Sequence, residues 1–136
     1  MENELDILLG GCLCGAIRYQ VQGLPFAADY CHCQHCQKIA GAPVMAWMDF
    51  LHKDVLWLRG KPQEYASSSE VRRGFCGQCG STLSFRHVQH PDYLTLAIAS
   101  LDQPDRVSPT YHIYTSQARQ WCVIQDDLPR FLRAAH

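Results

Sequence analysis

Alternation of apolar and polar positions is the dominant pattern along this chain. In residues 16–22, Ile17, Tyr19 and Val21 face one way and Arg18, Gln20 and Gln22 the other, the period of a half-buried strand. Residues 26–31 predict a second strand, which delivers the chain into the run CHCQHC. Residues 44–50 and 55–58 are rich in apolar and aromatic side chains and predict two more. Residues 63–67 and 71–75 are placed to pair across the bend Ser67-Ser68-Ser69, and residues 82–86 leave a glycine-rich turn as a strand. The clearest strand is 93–99, where Leu94, Leu96 and Ile98 fill one face; residues 110–115 predict another. Helical spacing is scarce. Residues 34–39 accommodate one or two turns before Gly41-Ala42-Pro43 stops them, and residues 126–132 a short terminal turn or helix interrupted by Pro129. Short strands with frequent turns predict a mainly β fold, antiparallel, with few short helices.

Composition narrows this picture. At 136 residues the chain is expected to form one domain, 1–136, large enough to bury a core without depending on metal alone. Net charge is −1 with acids and bases mixed, which argues against a nucleic-acid partner. Arg72-Arg73 is the one adjacent basic pair and reads as a solvated face. No stretch approaches the ~18 apolar residues of a membrane span. The opening MENELDILLGG is acidic with a short apolar run, unlike a signal peptide. The expectation is a cytoplasmic protein without membrane contact.

Eight cysteines then need a reason in a reducing compartment, where disulfides rarely persist and thiols serve metals or catalysis. Their spacing supplies one. Cys12-x-Cys14 and Cys76-x-x-Cys79 are two bidentate arms that together complete a four-thiolate site, suited to zinc, with iron as the alternative. Cys31, Cys33 and Cys36 share one short loop and lack a fourth cysteine. His32 or His35 would close that site; water or a thiol substrate would leave it catalytic. Both histidines adjoin ligands, so the plainer reading makes them loop residues or hydrogen-bond donors behind the ligands. A different grouping of the seven thiols is also conceivable. Cys122 stands alone and reads as a small buried hydrophobe. His112, in an expected strand, reads as a hydrogen-bonded core residue; with His32 and His35 it is a candidate for proton transfer. Trp57 is expected in the core, and Trp121, with Trp47 as the alternative, at a pocket.

Three motifs in order carry a resemblance over residues 10–131. They are Gly11-Cys12-x-Cys14-Gly15-Ala16-Ile17-Arg18-Tyr19, Cys31-His32-Cys33-x-x-Cys36 followed by Gly41, and Phe75-Cys76-x-x-Cys79-Gly80-Ser81. Ala99-Ser100-Leu101-Asp102, His112-Ile113, Trp121 and Asp126-Asp127-Leu128-Pro129 extend it. The chain resembles the glutathione-dependent formaldehyde-activating enzyme family, whose superfamily includes centromere protein V. The resemblance implies a β-tent of antiparallel sheets stapled by zinc. It implies a structural zinc on Cys12, Cys14, Cys76 and Cys79 and a second, catalytic zinc on Cys31, Cys33 and Cys36. It implies a carbon–sulfur lyase that joins formaldehyde to glutathione, giving S-hydroxymethylglutathione. Arg119-Gln120 departs from the Ala-Pro that many members carry before the tryptophan. Two other functions compete with it. One is a non-catalytic, zinc-stapled binding module; the other is a detoxification enzyme for a different thiol adduct.

Overall fold

A computed structural model describes residues 6–135. The acidic opening, residues 1–5, lies outside them. The strands are β1 (Ile7–Gly11), β2 (Arg18–Gln22), β3 (Ala27–Cys31), β4 (Met45–Leu51), β5 (Val55–Arg59), β6 (Gln63–Ala66), β7 (Val71–Phe75), β8 (Thr82–His87), β9 (Tyr93–Ala97) and β10 (Tyr111–Ile113). The helix α1 spans Gln34–Ala40. β1, β2 and β5 form a three-stranded sheet; the other seven lie in the order β10-β3-β4-β9-β8-β7-β6. All pairings are antiparallel except β10 on β3, which is parallel because the chain returns to that edge through a long irregular connection. The fold is mainly β, as the alternation predicts.

The two faces of the large sheet have different jobs, and a period of two separates them. Ala28, Met48, Phe50, Leu94 and Leu96 point toward the small sheet and pack with Leu8, Tyr19 and Val21 in one buried cluster. Burying each large side chain there contributes ~1.5–3 kcal/mol. The buried Tyr19 hydroxyl is satisfied by Ser100 Oγ at 2.6 Å, and its ring meets Trp57 edge-on at 5.8 Å. The intervening residues of the same strands, Asp29, Cys31, Trp47, Asp49 and Thr95, emerge on the opposite face with Phe85 of β8 and Arg73 of β7, where a cavity lies.

Several local expectations change. Ile7–Gly11 is a strand paired with β2, a segment for which the alternation pattern predicts no element. The strand expected over 93–99 ends at Ala97, and Ile98–Ser100 turns as 3-10 helix. The segment 126–132 is neither turn nor helix. It runs irregularly beside β10, with a parallel bridge between Arg130 and His112, because Pro129 and the pull of the sheet edge oppose a helix. Among the described residues, no helix is long and apolar enough to cross a membrane.

Candidate metal and substrate site

The turn after β1 carries Cys12 and Cys14, and the turn between β7 and β8 carries Cys76 and Cys79. Their four sulfurs lie within 4.8 Å of one another and could hold a metal ion. Cys12–Cys14 and Cys14–Cys76 sulfurs are 3.7 and 3.8 Å apart. That matches the ~3.8 Å edge of a tetrahedron whose arms are the ~2.3 Å of a zinc–sulfur bond. Backbone amides favour the anionic sulfurs. Ile17 N–H donates to Cys12 Sγ, and Gln78 and Cys79 N–H to Cys76 Sγ, at 3.3–3.4 Å. The tight turn that aims them needs Gly80 at φ 80°, closed by Gly80 N–H to the Cys76 carbonyl at 2.8 Å. Hydrogen bonds from the Ser81 side chain and backbone pull the Cys79 thiol down to about 5.

The second group closes over one short stretch. Cys31 ends β3, Cys33 is the N-cap of α1, and Cys36 lies in its first turn; their sulfurs also fall within 4.8 Å. Cys36 N–H donates to Cys33 Sγ at 3.3 Å, which is both a helix cap and a means of holding the sulfur. Gly41 in the left-handed conformation ends the helix at φ 63°. Gln37 Nε2 bonds the carbonyls of His32 (2.6 Å) and Gln117 (2.9 Å), and Gln34 N–H donates to Gln117 Oε1 at 2.8 Å. These bonds clamp the loop. Arg73 Nη1 donates to Cys36 Sγ at 3.5 Å while its guanidinium lies over Phe85, 5.1 Å from the ring centre.

The three thiols divide their protons unequally. Hydrogen bonds from Cys31 and then Cys36 hold Cys33 far below the ordinary thiol range, with the Arg73 charge adding to the effect. Donating to Cys33 and Cys36, and burial, push Cys31 far above it. A cation among the three sulfurs would let all of them ionise together by offsetting their mutual repulsion. The donor set is therefore that of a metal site, and the residues present fit one.

A cavity of about 560 Å³ opens onto this group, lined also by Asp29, His35, Trp47, Asp49, Arg73, Phe85, Thr95 and Tyr114. Tyr114 is the one non-glycine residue with positive φ (55°) among the described residues, strain of a kind that concentrates at functional sites. Asp29 is 5% exposed, and burial followed by the neighbouring Asp49 charge raises its carboxyl to about 7.

The three histidine candidates separate. His35 is exposed and lines the cavity. His32 and His112 are buried at 3% and 0% exposure and hydrogen-bond one another, Nε2 to Nδ1, at 2.9 Å. His112 Nε2 meets Asp126 Oδ2 at 2.9 Å. A carboxylate only accepts, so His112 carries a proton on Nε2 and donates it to Asp126. His112 holds the Asp126 carboxyl below its usual range, and burial lowers His32. Neither closes the group: among the described residues, no histidine or carboxylate joins the three thiols.

Trp47, 4% exposed, is the tryptophan of the cavity; Trp121 is 75% exposed and does not line it. Cys122 is half-buried rather than buried. Arg73, expected on a solvated face beside Arg72, is 4% exposed, because strand alternation sends the two side chains to opposite faces. Asp29, Asp49, Phe85 and Tyr114 were not singled out as site residues in the sequence. Their one signal there was the polar pair Asp29 and Asp49 inside otherwise apolar strands.

Comparison with known proteins bears on this arrangement. A family model described as glutathione-dependent formaldehyde-activating enzyme matches residues 7–117. The chain is 35% identical over 78 residues to an uncharacterized lyase of Schizosaccharomyces pombe, covering 57% of this chain and 56% of that protein. It is 26% identical over 132 residues to a Halomonas elongata protein named "Putative glutathione-dependent formaldehyde-activating enzyme", covering 88% of this chain and 82% of that one. A crystal structure of a Rhodobacter sphaeroides protein is similar in fold, with TM-score 0.59 and 22% identity over 74% of this chain and 91% of that chain.

Proposed function

The chain belongs to the glutathione-dependent formaldehyde-activating enzyme family, and on that premise we propose that it is a zinc-dependent enzyme of carbon–sulfur lyase type. In this reading Cys12, Cys14, Cys76 and Cys79 hold a structural zinc, and Cys31, Cys33 and Cys36 a catalytic one. Its substrates are glutathione or another small thiol and a small electrophile such as formaldehyde. One observation carries the reading: three thiols, not four, converge where the cavity opens onto them. Zinc prefers four ligands, and catalytic sites leave one position to water or substrate. Zinc held there supplies deprotonation of a thiol that meets it and fixes the position of its sulfur.

The chain's own residues do the rest. Gln37 and Gln117 hold the thiol loop in one conformation. Arg73, against Cys36 Sγ, offsets the excess negative charge of three thiolates. Trp47, Phe85 and Tyr114 give the cavity apolar walls that limit water around the reacting sulfur. The His32–His112–Asp126 chain ties the loop to the C-terminal segment from behind. As the carbonyl π bond opens, a sulfur–carbon bond forms, and the proton released by the thiol ends on the new hydroxyl. No oxidant or reductant is required.

The test is zinc content and zinc-edge X-ray absorption on anaerobically purified protein, with and without reduced glutathione. Two zincs per chain, and average sulfur coordination that rises toward four when glutathione is added, are the expected result. Coordination already complete and unresponsive would instead favour the non-catalytic, zinc-stapled binding module. A response to other thiols alone would favour a detoxification enzyme for a different adduct.

A further inference from the structure

The cavity contains a polar feature that the thiol chemistry does not use. Asp29 stands two residues before Cys31 on β3, so both side chains leave one face of the strand, roughly 7 Å apart along it. Asp29 lines the cavity and is 5% exposed, and its Oδ1 has no hydrogen-bond partner among the described residues. Asp49 lies on the neighbouring strand, where it opposes Ala27, and lines the same cavity. It accepts a hydrogen bond from Thr95 Oγ1 at 2.8 Å. On the other side Tyr111, opposite Asp29 on β10, contributes its hydroxyl. The polar groups acting on Asp29 are therefore a carboxyl and a phenol. Arg73, the cation of this cavity, sits three strands from Asp49 and is committed to Cys36 and Ser67. Buried polar atoms without partners are rare and costly, and each needs a reason.

We infer that Asp29 and Asp49 form a subsite for the free ammonium group of the thiol substrate, so that the site selects peptide-like thiols bearing an amine several bonds from the sulfur. The inference rests on the proposed reading that the substrate sulfur docks at Cys31, Cys33 and Cys36. A sulfur there and an ammonium at Asp29 are separated by roughly the same 7 Å. Cysteine and cysteamine, with two carbons between sulfur and nitrogen, are too short. The α-amine of a γ-glutamyl peptide such as glutathione reaches.

The test is calorimetric binding of glutathione and of N-acetylglutathione to the full, zinc-loaded chain, with KM measured alongside. Wild type is expected to bind glutathione at least ~10-fold more tightly, a charged hydrogen bond's effect. Asp29→Asn should abolish that preference by weakening glutathione alone, with circular dichroism unchanged. Asp49→Asn, further from the thiol loop, should reduce the preference in the same direction. Equal binding of the two thiols by wild type, or equal weakening of both by Asp29→Asn, would overturn the subsite and leave the thiol reaction standing. Failure of both thiols to bind wild type would overturn the two together.

Discussion

Cys12, Cys14, Cys76 and Cys79 come from two turns, Cys76 lying 62 positions after Cys14, one turn following a strand of the small sheet and the other a strand of the large sheet. Cys31, Cys33 and Cys36 come from a strand end and the helix that follows it, and meet at the base of a cavity. The donor atoms are the same; the origin in the chain differs. Joining distant turns constrains the fold, because the metal becomes a long-range contact. Joining neighbours constrains little beyond one loop, which the glutamine bonds already hold. The four-thiol group offers a zinc ion all four ligands it prefers, while the three-thiol group offers three and lines a cavity. The proposed reading assigns stability to one cluster and chemistry to the other, and substitutions should separate them.

Breaking the outer cluster should have the largest effect. Structural zinc contributes ~10–16 kcal/mol to folding in small zinc domains, and much of that depends on complete ligation. Cys76 is 1% exposed. Cys76→Ser is expected to abolish a cooperative thermal melt and to lose at least one zinc. A melt within a few degrees of wild type would remove the outer cluster's role as a staple. The matching change in the inner cluster, Cys33→Ser, should leave the melt nearly intact while turnover drops about 100-fold or more, beyond what residues supporting a metal ligand typically cost. If Cys33→Ser unfolds the chain as Cys76→Ser does, the contrast between the clusters collapses and the binding-module reading gains.

Arg73→Gln sharpens the comparison from within the inner site. It removes a charge-assisted contact to Cys36 worth ~1.5–3 kcal/mol, which in kcat/KM is about 10- to 100-fold. Zinc in the outer cluster should be unaffected. An equal loss from both clusters, read by zinc analysis, would show that Arg73 supports the fold and not the site.

The parts of the molecule legible in the sequence are those with short-range causes. Ile17, Tyr19 and Val21 alternate and are all buried; the serine bend joins β6 to β7; Gly41 ends α1. The two thiol groups followed from ligand spacing, which is a local property. What was missed depends on neighbours that are distant in sequence. Asp29 and Arg73 face the cavity only because β3 and β7 lie in one seven-stranded sheet, and nothing adjacent to either residue signals that. Ile7–Gly11 is a strand because β2 supplies its partner. Trp121 seemed the better pocket residue from its place after the last strand, yet β4 in the middle of the sheet delivers Trp47. Segment 126–132 takes its shape from the edge of β10, not from its own propensity.

The smallest expected effect concerns a contact beside the outer cluster that does neither metal binding nor chemistry. Arg18 follows the Cys12–Cys14 turn and grips Asp102 with both nitrogens, at 2.9 and 2.5 Å. The side chains are 31% and 46% exposed, so solvent screens the pair and its contribution is below ~1 kcal/mol, about 3 °C in melting temperature. The hydrogen bond to Arg18 holds the Asp102 carboxyl below its ordinary value. A depressed folded-state pKa means that the contribution is present above the unfolded value of ~3.9 and is lost as pH falls through the folded one. Asp102→Asn should therefore lower the melting temperature slightly at pH 7, and the difference from wild type should shrink toward zero in acid. Zinc content and turnover should not move. A tenfold loss of turnover at pH 7 would draw Asp102 into the chemistry and would mean that the outer half of the molecule does more than hold the inner half in place.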